Sequence, residues 1–188
     1  LVISNEITQF NLSQDADVWW TPAYGENRYE ELYRQSKVSE MDTAHTPLTL
    51  RYDNGIHLSI HEASLANYSS MQLFQTNTKE LNCDLAPWSN GDKVRTVAPF
   101  ISPWRTIKIA DSAKDLITNY LTLNCNEPNK LGNTSWIKPS KYIGIWWGMI
   151  IGKWTWAESF RHGATTERGL KYIDFAAKHG FDEVLIEG

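Results

Sequence analysis

Two tryptophans and a carboxylate end two apolar runs in the last quarter of the chain, and these residue types suit chemistry on sugars. Trp146 and Trp147 close the run that begins at Tyr142, and Glu187 closes the run 184–186. An aromatic ring can stack on the C–H face of a pyranose, while a carboxylate binds hydroxyls or transfers protons. The alternative is that both rings pack in a core, and the sequence favours this alternative for Trp147.

Glu62 is a second candidate for chemistry. Alternation along a predicted strand places it on the same face as Leu58 and Ile60. A carboxylate on an apolar face needs a partner, which could be a metal ion, a cation or a hydroxyl-rich ligand. The alternative is that the strand ends at Ile60 and that Glu62 is solvated in a turn. The local sequence favours this solvated position.

A strand–helix–strand unit must position Trp146 and Glu187. The patterns predict strands over 142–147 and 183–187, joined by a helix over 166–179. A crossover helix makes such strands parallel and brings their carboxyl ends to one edge of the sheet, where α/β enzymes build active sites. The connection 148–164 is long for a strand-to-helix loop, which indicates a functional loop at this edge.

The predicted helix has clear start and stop signals. Thr165 or Thr166 is expected to cap its beginning, and Gly180 follows its last residues, Lys178 and His179. The residues predicted to form its buried face are Leu170, Ile173, Ala176 and Ala177.

The preceding part of the chain has the pattern of an antiparallel β structure. Residues 1–20 alternate loosely, and Asp53-Asn-Gly55 predicts a hairpin between strands 47–52 and 56–61. The segment 22–37, which includes Tyr29, is interpreted as a loop or a short irregular helix. Further short strands are predicted at 70–74, 94–97, 106–109 and 121–124, and a short helix over 111–119 begins at Asp111 or Ser112.

The change from antiparallel strands to alternating strand and helix predicts two domains. We expect an antiparallel β-sandwich followed by the start of an α/β domain, with the boundary between 126 and 139. One strand–helix–strand unit cannot cover both faces of a parallel sheet, so we interpret the chain as a fragment.

Composition excludes several classes of function. A net charge of -4 and a pI near 5.7 do not fit nucleic-acid binding, and the chain has no apolar run of membrane-spanning length. It also lacks a Ser-centred elbow, a Gly-rich phosphate loop and any Cys/His metal spacing. Nine Trp and eight Tyr suit sugar binding, although a β-rich core could also use them.

The two cysteines leave two interpretations open. Cys125 lies at an apolar position, and a buried free thiol is favoured there. A disulfide with Cys83 is the alternative.

Several motifs, in order along the chain, resemble glycoside hydrolase family 97. The resemblance runs from about residue 46 to the end. The strings that carry it are Asp53-Asn-Gly-Ile-His57, Ile60-His-Glu-Ala63, Pro99-Phe-Ile-Ser-Pro-Trp-Arg-Thr-Ile107, Leu123-Asn-Cys-Asn-Glu-Pro-Asn129, Lys141-Tyr-Ile-Gly-Ile-Trp-Trp147, Lys171-Tyr-Ile-Asp-Phe-Ala-Ala177 and Val184-Leu-Ile-Glu-Gly188.

This resemblance implies a fragment of a calcium-dependent, exo-acting α-glucosidase or α-galactosidase of bacterial type. The family pattern maps a calcium ligand onto Glu62, which favours a buried Glu62, and maps contacts with an oligosaccharide substrate onto Trp146 and Glu187. It implies that residues 1–130 are the C-terminal part of an N-terminal β-super-sandwich, that residues 131–188 begin a catalytic (β/α)8 barrel, and that the sandwich packs on the barrel. It also implies that the general acid and its partner lie beyond Gly188, so the fragment is expected to be inactive.

The same resemblance implies a periplasmic or secreted location. The alternative function is a non-catalytic carbohydrate-binding protein that uses the same aromatic surface.

Overall fold

Two antiparallel sheets form most of the first unit of the chain, Leu1–Pro128. The computed structural model describes residues 1–23 and 31–187. The strands of this unit are β1 (Val2–Ile3), β2 (Gln9–Asn11), β3 (Asp17–Trp20), β4 (Arg34–Lys37), β5 (Ala44–His45), β6 (Leu48–Arg51), β7 (His57–Ala63), β8 (Met71–Asn77), β9 (Glu80–Leu85), β10 (Val94–Arg95) and β11 (Trp104–Ala110). A 3-10 turn (Val38–Glu40) and the helices α1 (Ala113–Ile117) and α2 (Leu121–Asn124) complete it.

The two sheets share one apolar core. The five-stranded sheet has the order β11-β7-β6-β3-β4, and the four-stranded sheet has the order β2-β9-β8-β5. Leu50 and Ile60 of the first sheet belong to the same buried cluster as Leu73 and Leu81 of the second. This arrangement confirms the predicted β-sandwich.

The predicted hairpin between β6 and β7 is confirmed. Gly55 takes a positive φ of 88°, and Tyr52 and Ile56 close the turn through a backbone hydrogen bond of 2.8 Å. β7 then continues past Ile60 to Ala63, with Leu58, Ile60 and Glu62 buried on one face. The alternative in which the strand ends at Ile60 and Glu62 is solvated is therefore wrong.

One local prediction in this unit is corrected by tertiary contacts. Residues 34–37, expected in a loop or irregular helix, form the edge strand β4, because Arg34 stacks on Trp20 and Lys37 pairs with Asp17 across the sheet. The part of that expectation that falls on residues 24–30, including Tyr29, lies outside the described residues.

Residues 121–124 form the helical turn α2, where a strand was predicted. The Asn119 side chain accepts a hydrogen bond from the Leu121 N–H, and the Asn126 side chain donates to the Thr122 carbonyl. Local side-chain bonds of this kind favour a turn over a strand. Just before it, α1 begins after Ser112, as predicted.

Both cysteines are free thiols. Cys83 is the buried one and Cys125 is partly exposed, so the free thiol is confirmed while the burial expected at Cys125 is only partial.

The second unit, Asn129–Gly188, contains the predicted strand–helix–strand arrangement. β12 (Tyr142–Gly144) and β13 (Glu183–Leu185) pair in parallel, and the helix α4 (Thr166–His179) connects them. The Thr165 hydroxyl accepts a hydrogen bond from the Arg168 N–H at the start of α4, and Gly180 ends the helix at φ 71°. These caps confirm the signals in the sequence.

Two expectations in the second unit are wrong in detail. β12 ends at Gly144, and Trp146 and Trp147 begin a short helix, α3 (Trp146–Ile150), because Gly148 lets the chain turn against the Trp154 indole. On α4 only Gly169 and Ala176 are buried, whereas Leu170, Ile173 and Ala177 are exposed. A two-stranded sheet is too narrow to cover the wider apolar face that was predicted.

No helix in the described part of the chain combines the length and apolar character needed to cross a bilayer.

Candidate functional site

An open cleft of about 310 Å³ lies beside the parallel strand pair of the second unit. Trp146 and Glu187, the two candidates proposed from the sequence, both line it. They come together because Gly144 of β12 is the register partner of Leu185 of β13, so the residues just past each strand are neighbours. The other lining residues are Tyr142, Gly144, Trp147 and Leu185.

The two tryptophan rings form one wall of this cleft. Their centroids are 5.7 Å apart and their planes are tilted by 38°. Trp146 is 41% exposed and Trp147 is 59% exposed. Trp147 also lines a neighbouring cleft with Trp154 and Arg168. The packed position that the sequence favoured for Trp147 is therefore not found within this unit.

Glu187 is the acidic member of the cleft. It lies two residues beyond β13 and is exposed. Within the described part of the chain, no side chain or N–H group donates a hydrogen bond to its carboxylate. The site therefore combines an aromatic wall with a carboxylate that is free to accept hydrogen bonds from hydroxyl groups.

Contacts of Arg168 hold the segment between α3 and α4 against Trp154. The Arg168 guanidinium lies 3.5 Å from the centre of the Trp154 ring and donates hydrogen bonds to the carbonyls of His162 and Gly163, at 2.6 and 2.7 Å. These contacts fix the backbone next to the tryptophan pair. Such a cation–π contact contributes most when it is shielded from water.

Replacing Gly148 by alanine is expected to destabilise the second unit. An added Cβ would overlap the rigid Trp154 indole, including its Nε1 at 2.6 Å, and overpacking of this kind costs about 1–3 kcal/mol. Gly163→Ala is the matched comparison, because its Cβ would meet the flexible end of Met149. Urea unfolding should show the larger loss for Gly148→Ala. Equal losses in the two variants would contradict this account of the turn.

Glu62 lies in the first unit, in a buried position between the two sheets. Its side chain is 5% exposed. One carboxylate oxygen accepts a hydrogen bond from Arg105 Nη1 at 2.6 Å, and both oxygens lie 3.1 Å from the backbone N–H of Met71. The partner required by a carboxylate on an apolar face is thus the cation Arg105, on the adjacent strand β11.

Arg105 also binds a second carboxylate. Its Nε and Nη2 donate to the two oxygens of Glu6, at 2.7 and 2.6 Å, and the Tyr68 hydroxyl donates to Glu6 at 3.2 Å. Sequence reasoning missed both Glu6 and Arg105. The only signal was that Arg105 belongs to the Pro-Trp-Arg string, and a strand pairing is needed to place it opposite Glu62.

The pKa values of Glu62, Glu6 and Arg105 depend on burial and on the bidentate contact between Arg105 and Glu6. Burial raises the pKa of Glu62, and this exceeds the opposing effects of the Met71 N–H and Arg105. Burial also acts to raise the pKa of Glu6, but the hydrogen bonds and charge of Arg105 outweigh it and lower that pKa. Although burial opposes the Arg105 cation, the carboxylates raise its pKa, so it remains charged.

The residues around Glu62 do not fit a calcium ion. Calcium prefers six to eight oxygen ligands, whereas the Glu62 oxygens already bind an N–H group and a guanidinium. Within residues 1–23 and 31–187, no group of three or more His, Cys, Asp or Glu side chains is placed to hold a metal ion.

Sequence comparison gives matches along most of the chain. Residues 1–128 match the family described as Glycosyl-hydrolase 97 N-terminal, and residues 146–188 match the family described as Glycoside hydrolase 97. The chain is 25% identical over 184 residues to the retaining alpha-galactosidase of Bacteroides thetaiotaomicron. That match covers 86% of this chain and 27% of the relative.

Solved structures give matches over nearly the whole chain. A glycoside hydrolase family 97 enzyme from Pseudoalteromonas sp. strain K8, in complex with acarbose, has a TM-score of 0.85 and 48% sequence identity. The match covers 99% of this chain and 28% of that enzyme, and a variant of it in complex with panose matches equally well. A beta-arabinopyranosidase, with a TM-score of 0.69 and 20% identity, shares the fold.

Proposed function

Because the chain belongs to glycoside hydrolase family 97, we propose that it is a segment of an α-glycoside hydrolase that removes terminal α-linked sugars from oligosaccharides. The observation that carries this proposal is the cleft that Trp146 and Glu187 both line. The chain spans 28% of the length of the Pseudoalteromonas enzyme, so the activity belongs to the longer protein that contains it.

The proposed roles follow from the chemistry of the two side chains. Trp146 stacks on the C–H face of the terminal sugar, and Glu187 accepts hydrogen bonds from its hydroxyl groups. Holding the ring in this way orients the anomeric carbon for attack by water through an oxocarbenium-like transition state. We place the general acid and its carboxylate partner outside these 188 residues, on later strands of a (β/α)8 barrel that packs on the sandwich.

Trp147 enters the proposal as a second aromatic contact. It is exposed, and it lines the same cleft as Trp146. We propose that it contacts the sugar that follows the terminal one, so that its effect is larger with oligosaccharides than with simple aryl glycosides.

Relatives support two candidate substrates. The Pseudoalteromonas enzyme, at 48% identity, was solved with acarbose and a variant of it with panose, whereas the Bacteroides relative, at 25% identity, is an alpha-galactosidase. The higher identity favours α-glucosides as substrates of the protein that contains this chain. A periplasmic or secreted location is part of the same proposal.

Calcium dependence of the longer protein is also proposed from its family. Calcium would supply positive charge near the substrate, and its ligands would have to come from residues other than Glu62 as it is placed in this structure.

The activity is tested by hydrolysis of aryl α-glucoside and aryl α-galactoside by the longer protein, with and without a calcium chelator. We expect release of the aryl group from at least one substrate, faster for the glucoside, and a loss of rate on chelation. Saccharide binding without turnover of either substrate would contradict the proposal and favour a non-catalytic carbohydrate-binding protein. A rate unchanged by the chelator would contradict only the proposed calcium dependence.

A further inference from the structure

The Glu62 carboxylate forms an ion pair with a side chain of the protein itself, Arg105. Arg105 Nη1 lies 2.6 Å from it, and the same guanidinium holds Glu6 through two further hydrogen bonds. The side chains of Arg105 and Glu6 are 12% and 16% exposed, so all three groups are largely shielded from water. A guanidinium presents its N–H groups in a fixed fork, and this geometry matches two carboxylates at once.

A calcium ion at Glu62 would have to displace this guanidinium. Glu62 would give up its bond to Arg105, and the ion would lie next to a buried positive charge whose other contacts hold it in place. Arg105 also lies 5.9 Å from the centre of the Tyr68 ring, and Tyr68 in turn donates a hydrogen bond to Glu6. Moving Arg105 would therefore break its three hydrogen bonds to the two carboxylates and its contact with the Tyr68 ring.

The contacts also join the two sheets of the sandwich. Glu62 lies on β7, and Arg105 is its register partner on β11, the edge strand of the five-stranded sheet. Glu62 accepts a hydrogen bond from the backbone N–H of Met71, which is the first residue of β8 in the four-stranded sheet. Glu6 precedes β2 of that same sheet. Two ion pairs and a backbone hydrogen bond thus connect the two sheets.

We infer that Arg105 is the permanent counter-cation of Glu62, that no calcium ion binds at Glu62, and that the Glu6–Arg105–Glu62 network holds the two sheets together without metal. Glu62 is then a structural residue. This assignment stands apart from the proposed glycosidase activity, because it concerns only contacts within the first unit.

The test is thermal unfolding of the longer protein that contains this chain, after removal of metal ions, in a chelator and in millimolar calcium. We expect any rise of Tm that calcium causes to be the same in the wild type and in Glu62→Gln, since removal of a true ligand would reduce that rise. Glu62→Gln should lower Tm by about 5 °C in both conditions alike. Asp17→Asn, which removes a more exposed ion-pair partner of Arg51, is the matched control and should change Tm much less.

The assignment is overturned if calcium raises the wild-type Tm and Glu62→Gln abolishes that rise. If the glutamine variant does not fold, Glu62→Asp replaces it, since a shortened carboxylate would weaken either role while retaining the charge. Hydrolysis of aryl glycosides is a separate readout, so failure of the glycosidase proposal would leave this result unaffected.

Discussion

Replacing Arg105 by methionine is expected to lower the free energy of unfolding of the first unit by about 3–5 kcal/mol. The substitution keeps an apolar stem but removes the cation, so Glu62 must keep its charge in a buried position or take up a proton. Glu6 loses a two-pronged contact at the same time. Leaving a buried charge without its partner is among the costliest effects of a single substitution. Urea unfolding followed by circular dichroism measures the change.

Arg51→Met is the control for this prediction. Arg51 pairs with Asp17 at 2.7 Å, as closely as Arg105 pairs with Glu6, but its side chain is 44% exposed. An ion pair in water contributes about 0–1 kcal/mol, so Arg51→Met should change stability little. Equal losses for the two variants would show that burial of the Arg105 network is not the source of its stabilising effect.

Substitutions in the cleft of the second unit are expected to have the largest effects on activity. Trp146→Ala removes the stacking surface and Glu187→Gln removes the charged acceptor, and each should lower kcat/KM of the longer protein by about 10- to 100-fold. The reason is that a hydrogen bond to a charged group contributes about 1.5–3 kcal/mol, and tenfold corresponds to about 1.4 kcal/mol. Initial rates on an aryl α-glucoside provide the measurement.

Trp136→Ala is the matched control for the cleft. Trp136 lies in the same unit and is 70% exposed, but it does not line the cleft. Its replacement should leave kcat/KM within about twofold of the wild type, since surface substitutions away from a site have small effects. Parallel losses for Trp136 and Trp146 would point to a general effect on folding and would contradict a specific sugar contact.

Local signals predicted those parts of the fold that depend on neighbouring residues. The Thr165 and Gly180 caps of α4 and the Asp53-Asn-Gly55 turn were recognisable because each acts within a few residues of the chain. β7 was also predicted by alternation, but the local sequence favoured a solvated Glu62, and only the family resemblance favoured the buried position that it takes on β7.

Contacts between distant residues explain the features that the sequence did not predict. The end of β12 before Trp146 depends on the approach of Trp154 to Gly148, which is a packing effect. The sequence showed that a buried Glu62 needs a partner, but the choice between a metal ion and a cation required the pairing of β7 with β11, 43 residues apart. The small number of buried residues on α4 likewise depends on how many strands the helix packs against.

A crystal structure of the longer protein with glucose or galactose bound at saturation tests the central claim most directly. Our account predicts that the pyranose ring stacks on Trp146 and that a sugar hydroxyl lies about 3 Å or less from the Glu187 carboxylate. A sugar bound elsewhere, with the cleft between Trp146 and Glu187 filled by protein side chains, would contradict it.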